Sequence, residues 1–217
     1  MNKFLKIIIV ILLFGAIILG IITKSSYVDE ISDKNLQNNA KVSFSGVIDE
    51  NNSKRLYEEL LQSDIIIKAV ALDEYVFEKM ATRCKLKIVD VYKGDVTSGE
   101  IINFYLSGFF NKDDNRLAYR GYTVFNHMVP GKEYYVFANK GNHSALYEEI
   151  VGKTYVYACV EISWFLTKNT FPNLLDESKE YTYHEIEQNE FNCFSIEQRN
   201  FINQFKQNLI KQTIEAK

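Results

Sequence analysis

Five strand-length segments with no helical pattern between them constrain the fold of this 217-residue chain more than any other feature. The segments span residues 65–72, 82–92, 100–106, 133–138 and 153–162. Within the second, Cys84, Leu86 and Ile88 alternate with basic residues, as in a half-buried strand. Parallel neighbours need crossover helices, whereas short connections favour antiparallel pairing. The sequence therefore predicts a mainly β fold, either an antiparallel barrel or a sandwich.

Helical patterns flank this β-rich region. Residues 53–62 have leucines on one face and predict a short helix with Asn52 or Ser53 as N-cap. Ser195 and Gln198 have the spacing of a capping box. After it come apolar residues at helical spacing, namely Phe201, Ile202, Phe205, Leu209 and Ile210. The sequence predicts a C-terminal amphipathic helix that packs on the β domain or plugs one end of it.

The N-terminus has a long apolar run. Residues 7–22 contain no polar side chain, and Lys3 and Lys6 precede them. A helix over residues 4–23 would be about 30 Å long, which matches the hydrocarbon thickness of a bilayer. We expect a separate transmembrane helix with a cytoplasmic N-terminus, which makes this a single-pass protein of the cell membrane with an extracytoplasmic domain. The alternative is a signal peptide, whose cleavage would release a secreted protein.

These patterns divide the chain into four parts. Residues 1–24 form the anchor or signal segment. Residues 25–42 are polar and predict a tether without packed structure. Residues 43–194 form the β domain, and residues 195–217 the C-terminal helix.

The charge distribution bears on the partners. Of the 25 basic residues, Lys3, Lys6 and Lys24 lie in the first 24 positions, which hold no acid, so the rest has 22 bases against 28 acids, a net charge of −6. Nucleic-acid binding needs a basic surface, so it is not expected. The expected partners are the membrane, through residues 4–23, and a protein or another component of the cell envelope.

The chain shows no motif for catalysis, metal binding or a cofactor. Its three histidines, His127, His143 and His184, lack zinc-protease spacing, and no phosphate-binding loop or nucleophile elbow is present. The three cysteines form no C-x-x-C pair. Cys159 and Cys193 flank a loop-rich stretch and are candidates for a disulfide; the alternative is that Cys84, Cys159 and Cys193 are all buried thiols.

The segment 109–125 is the candidate ligand surface. It is long for a hairpin and combines aromatic residues with Arg120. Tyrosine and arginine are enriched where proteins bind partners, and long loops on rigid scaffolds often carry function. The candidate ligand-binding residues are Phe110, Tyr119, Arg120 and Tyr122. The alternative is that these aromatic side chains belong to the hydrophobic core and cover one end of the barrel.

Three segments also carry a resemblance. Residues 63–67, 85–95 and 129–137, with the turns Lys93-Gly94-Asp95 and Pro130-Gly131-Lys132, resemble a group of uncharacterised bacterial exported or membrane-anchored proteins. Their core is similar to the OB-like barrel of tissue inhibitors of metalloproteinases and netrin-like modules. The resemblance covers about residues 63–160 and implies an antiparallel OB-like barrel. Those inhibitors bind the target's zinc through an N-terminal cysteine, whereas this chain has none before Cys84, so the inhibitory chemistry does not transfer.

Two functions remain open from the sequence. The first is a membrane-tethered extracytoplasmic binding or interaction module without a catalytic site. The alternative is a secreted enzyme, a hydrolase, whose active-site residues are dispersed along the chain. Enzymatic activity is thus undecided, with the non-enzymatic function preferred because no catalytic motif is present.

Overall fold

A computed structural model describes residues 12–20, 22, 31–78, 81–113, 116–142 and 144–214. The chain divides into two compact units, Met1–Glu30 and Ile31–Lys217. In the first unit residues 12–20 are helical, and apolar side chains such as Leu12, Phe14 and Leu19 are exposed. The rest of the expected span over residues 4–23, apart from Ile22, lies outside the described residues. Among the helices that are described, none is both long and apolar enough to span a bilayer.

The second unit is mainly β. Its helices are α1 (Lys34–Asn38), α2 (Glu50–Gln62), α3 (Ala145–Val151), α4 (Tyr183–Ile186) and α5 (Ile196–Thr213). Its strands are β1 (Lys41–Phe44), β2 (Ile65–Glu78), β3 (Ala81–Lys93), β4 (Ile101–Leu106), β5 (Gly108–Asp113), β6 (Arg116–Gly121), β7 (Glu133–Lys140), β8 (Thr154–Tyr157) and β9 (Trp164–Leu166).

The five strands expected from the sequence are all present and pair with one another. Together with β9 they form a six-stranded sheet in the order β2-β3-β4-β8-β7-β9, and β2 also pairs with β7. The pairings β2–β3, β3–β4, β4–β8, β8–β7 and β7–β2 therefore make a ring of five strands. The expectation of a purely antiparallel arrangement was wrong, because β4 and β8 run parallel. A ring with an odd number of strands must contain at least one parallel pair, and here β8 runs antiparallel to β7 and parallel to β4.

A smaller sheet has the order β1-β6-β5, in which β1 runs parallel to β6. Its first strand, with helix α1, corrects the expected tether. Residues 25–30 of the tether lie outside the described residues, but residues 31–42 belong to the compact unit. The Asp33 side chain caps α1 and Ala40 is buried. A polar composition concealed this packing, because only a few apolar side chains, those of Ile31, Ala40 and Val42, join the smaller core, and backbone hydrogen bonds with Tyr181 and Tyr183 complete the attachment.

Both flanking helices are present. Helix α2 starts three residues before its expected start, because Asp49 rather than Asn52 or Ser53 is the N-cap, and Asn52 completes the capping box from inside the helix. Ser195 caps α5 as expected, whereas the Gln198 side chain accepts from the Phe194 amide. Of the apolar residues expected on α5, Phe201 is half-buried and four are buried, namely Ile202, Phe205, Leu209 and Ile210.

A buried ion pair also attaches α5 to the sheet. The Lys206 Nζ donates to both carboxylate oxygens of Glu190, at 2.7 and 2.8 Å, and the two side chains are 0% and 1% exposed. Glu190 also accepts from the Leu166 amide and the Thr170 hydroxyl. The pair is therefore fully hydrogen-bonded, which is the condition for placing two charges in a core. Leu166 belongs to β9 and Thr170 to the segment after it, so we assign the ion pair to the attachment of α5 to the sheet.

Candidate functional site

The structure divides the four candidate ligand-binding residues into two pairs. Strands β5 and β6 form a hairpin in which Phe110 lies opposite Tyr119. Both of these side chains are buried, so they fulfil the alternative that the aromatic residues form core. Arg120 is partly exposed and Tyr122 is 47% exposed. Because neighbouring residues of a strand point to opposite faces, Tyr119 faces inward and Arg120 faces outward.

The inward pair belongs to an aromatic cluster around His127. Five rings lie with centroids 5.0–6.3 Å from its imidazole, those of Tyr75, Phe77, Phe110, Tyr119 and Tyr183. The His127 Nε2 lies 3.1 Å from the Gly108 carbonyl oxygen. A carbonyl can only accept, so this nitrogen carries the proton of a neutral ring. Burial lowers the pKa of His127 to about 4. We therefore assign His127 to the core rather than to acid–base chemistry.

The outward pair lines a surface feature that we call the aromatic groove. It consists of two hollows, of about 610 and about 340 Å³, that share Phe109 and Tyr122. The rings of these two residues lie 5.8 Å apart between centroids. The larger hollow is also lined by polar residues of the small sheet, namely Ser43, Ser45, Asn111, Lys112 and Arg120. The smaller is also lined by Ala81, Tyr105, Leu106, Ser107, Val156 and Tyr157.

Each hollow contains a buried polar atom without a partner. The Ser107 Oγ and the Asn111 Oδ1 have no hydrogen bond to any residue that the structure describes. Ser107 is 3% exposed, so its hydroxyl has lost water without a protein acceptor in exchange. Such groups are rare in folded proteins because each destabilises the fold by about 1–3 kcal/mol.

Charged groups stand at the end of the groove. Arg120 forms an ion pair with Asp113 across the hairpin. This pair places guanidinium donors beside carboxylate acceptors, as neighbouring hydroxyl groups of a ligand require. Asp113, Asp114 and Asn115 form the tip of this hairpin, and of these three residues the structure describes Asp113.

One cluster has the donor types of a metal site. A ligand atom from each of Glu59, Cys159 and Glu161 lies within 4.8 Å of the others. Arg55 bridges the two carboxylates, with 2.8 Å between its Nη1 and the Glu59 Oε1, and it also contacts Glu161. The Cys159 thiol donates to the Glu161 Oε2 at 3.0 Å. A guanidinium therefore already neutralises these carboxylates, and the cluster does not fit a metal ion.

The thiols of Cys84, Cys159 and Cys193 are free and buried. The expected disulfide between Cys159 and Cys193 is therefore not formed; the alternative of three buried thiols describes the structure. Burial raises the pKa of Cys159 to about 12, to which its hydrogen bond to Glu161 contributes, and burial also raises the pKa of Cys84 to about 12. Protonated thiols are poor nucleophiles, so these side chains act as small apolar groups.

Of the other two histidines, His184 does not line the groove. The His184 Nδ1 lies 2.9 Å from the Glu187 Oε1, and its side chain is 69% exposed. His184 is therefore a surface histidine paired with a carboxylate. His143 lies outside the described residues.

The sequence missed half of the groove. Tyr105, Ser107 and Tyr157 lie outside the candidate segment 109–125, and Phe109 lies inside it without being one of the four named residues. The alternation of β4 already places Tyr105 on the other face from the buried Phe104. That alternation was the available signal for Tyr105. Tyr157 joins the groove only because β8 pairs with β4, and no local pattern encodes that pairing. Comparison of the chain with protein-family models and with curated proteins gave no match.

Proposed function

We propose that this chain is a membrane-tethered extracytoplasmic binding module and that its ligand binds in the aromatic groove. The observation that carries the proposal is the 47% exposed Tyr122 ring, which lies between two hollows that are lined by aromatic and polar side chains. Exposed aromatic side chains beside convergent polar groups are typical of binding sites. The titratable residues of the groove do not form an acid–base pair in contact with a nucleophile, so a hydrolase receives no support from its geometry.

The fold that we propose is an OB-like barrel. A ring of five strands in which one neighbouring pair is parallel supports it, as do the turns at Gly94 and Gly131, which have φ of +100° and +80°. In this arrangement α3 precedes the last strand of the ring and α5 packs beside it. The resemblance to netrin-like modules remains part of the same proposal. OB barrels bind oligosaccharides as well as oligonucleotides, so the fold permits a sugar ligand without selecting one.

The ligand class that the groove favours is an envelope carbohydrate. Sugar rings have apolar faces that pack on aromatic side chains and hydroxyl groups that need both donors and acceptors. The groove offers the rings of Tyr122 and Tyr157 and the polar side chains of Ser43, Ser45 and Arg120. The net charge of −6 beyond residue 24 opposes binding of nucleic acids instead.

A binding assay tests this proposal. The probes are N-acetylglucosamine tetrasaccharide and maltotetraose, titrated by calorimetry into the full chain in nonionic detergent. Tyr122→Ala removes the exposed ring and should weaken binding of the bound oligomer about tenfold or more. Phe171→Ala is the matched control, because Phe171 is 68% exposed and lies outside the groove. Failure of both oligomers to bind, or an equal affinity for Tyr122→Ala, would refute the proposal.

The location needs a separate test, because it depends on the apolar sequence at residues 7–22. Protease added to intact cells or spheroplasts should digest the domain, and mass spectrometry should find residues 1–24 retained in the membrane fraction. A soluble product that begins near Ser25 would show cleavage and secretion. A domain protected in spheroplasts would refute the proposed topology.

A further inference from the structure

A further cavity of the second unit borders the aromatic groove at Ser43 and Ser45 but is not lined by Arg120 or Tyr122. It is a cleft of about 950 Å³ between β1 with the segment that follows it and the chain from Leu175 to Phe201. Its buried lining includes the apolar residues Ile48, Val124 and Leu175 and the polar residue Asn192. Exposed apolar side chains stand at its edge, with Val47 at 51% and Phe194 at 37%. We call it the acidic cleft, for the charges described next.

Carboxylates predominate around this cleft. The lining acids are Asp49, Glu50, Glu177, Glu180 and Glu197, whereas the lining basic residue is Lys179. Lys179 is itself paired with Glu185, at 2.8 Å between Nζ and Oε1, and Glu180 is paired with Lys41. The acids thus exceed the bases among the lining residues by four. A partner that is complementary to this surface must be cationic and partly apolar.

A strand edge opens into the same cleft. On one side β1 pairs with β6, and the Ser45 amide donates to the Gly121 carbonyl at 3.0 Å. On the other side the Val42 amide donates to the Tyr181 carbonyl at 3.0 Å, and Lys41 forms an antiparallel bridge with Thr182. Backbone groups alternate between the two edges of a strand. The Val42 amide points away from β6. The amide and carbonyl of Phe44, two residues further along the strand, therefore also point away from β6, towards the cleft.

From these features we infer that the acidic cleft binds an extended, lysine- or arginine-containing peptide segment, which adds to β1 as a further strand. The backbone of the segment pairs with Phe44, its apolar side chains occupy the surface over Leu175 and Val124, and its basic side chains meet Glu177 and Glu50. Strand addition supplies affinity through backbone hydrogen bonds, while alternate side chains supply specificity. This interaction is additional to carbohydrate binding in the aromatic groove and does not depend on it.

The probe is the acetylated and amidated peptide Lys-Val-Lys-Val-Lys, titrated into the full chain in detergent at low salt. Its first control replaces each lysine with glutamate. A second control carries N-methyl groups on the valine amides, which keeps the charge but blocks hydrogen bonding along one edge. We expect the lysine peptide to bind at least about tenfold more tightly than either control. Equal affinity for the glutamate control would refute charge recognition, and equal affinity for the N-methylated peptide would refute strand addition along the blocked edge.

Two variants of the protein locate the site. Glu177→Lys reverses a charge that lines the cleft and should weaken binding of the lysine peptide about tenfold. Glu58→Lys makes the same change on the exposed side of α2, outside the cleft, and should leave binding unchanged. An equal loss in both variants would indicate attraction by net charge alone and would overturn the inference. No loss in either variant would overturn it as well.

Hydrogen exchange supplies a readout that charge attraction would not change. The Phe44 amide should exchange more slowly once the lysine peptide is bound, because strand addition gives it an acceptor. Binding that leaves its exchange rate unchanged would refute the assigned register. Tyr122→Ala should bind the lysine peptide with wild-type affinity. Peptide binding in the acidic cleft and carbohydrate binding in the aromatic groove can therefore be refuted separately.

Discussion

Acidification should destabilise the domain through His127. Its ring is buried among five aromatic side chains, and burial lowers its pKa from 6.5 to about 4. The unfolded chain, where histidine titrates near 6.5, therefore takes up the proton before the folded protein does. The stabilising contribution is complete above about pH 6.5 and decreases as the pH falls towards 4. A difference of about 2.5 pKa units corresponds to about 3 kcal/mol of unfolding free energy.

Urea unfolding at pH 7 and at pH 4.5 measures this effect. Carboxylates such as Glu100 and Glu161, whose pKa values the folded structure lowers, also contribute, because they begin to take up protons in the unfolded chain within this range. Their contribution cancels when the wild type is compared with His127→Gln, whose amide does not titrate and still has a donor for the Gly108 carbonyl. The wild type should lose about 2–3 kcal/mol more than the variant between the two pH values.

His184→Gln is the matched control, because it makes the same substitution at an exposed histidine outside the aromatic cluster. Equal pH dependence in the wild type and in His127→Gln would refute the assignment of a buried neutral imidazole. An NMR titration of His127 with an ordinary pKa near 6.5 would refute it independently.

Substitutions at Lys206, Tyr119 and Gly108 and a thiol titration also test the core. Lys206→Met leaves Glu190 buried without its cation and should lower the unfolding free energy by about 3–5 kcal/mol, whereas adding Glu190→Gln should recover much of the loss in a urea titration. The Tyr119 hydroxyl is buried without a partner among the described residues, so Tyr119→Phe should raise the unfolding free energy by about 1 kcal/mol. A Cβ at position 108 would collide with that hydroxyl, so Gly108→Ala should destabilise the domain less in the Tyr119→Phe background; an equal loss in both backgrounds would contradict this contact. Thiol titration should find little reaction with the folded protein and three thiols, including Cys159, after unfolding in denaturant, whereas a single thiol would reveal a disulfide.

Local patterns predicted the large sheet well. Alternation along residues 82–92 and 100–106 depends on nearest neighbours, and β3 and β4 cover those residues almost completely. The pairing of β4 with β8 was not predictable in the same way, because it joins residues about fifty positions apart. Likewise, β1 was missed because its parallel partner β6 lies far along the chain and its own four residues are too few to establish an alternating pattern.

The candidate site was half predictable for a related reason. Arg120 and Tyr119 are adjacent in sequence, and composition alone marked both as ligand candidates. Only the register of the β5–β6 hairpin, in which Arg120 lies opposite Phe109, shows that one faces the groove and the other the core. A strand has two faces, so an aromatic-rich strand identifies a surface only when the buried side is known.

The two proposed binding surfaces share a wall. Ser43 and Ser45 line the acidic cleft and also the larger hollow of the aromatic groove, so β1 separates them by the width of one strand. A peptide that pairs with β1 would restrict the backbone to which these serine side chains belong. If that restriction changes the affinity of the groove for a sugar, the sugar must change the affinity of the cleft for the peptide by the same factor, because coupling between two binding sites is reciprocal. Strand β1, which the sequence did not predict, is therefore the element through which binding at one surface would change the affinity of the other.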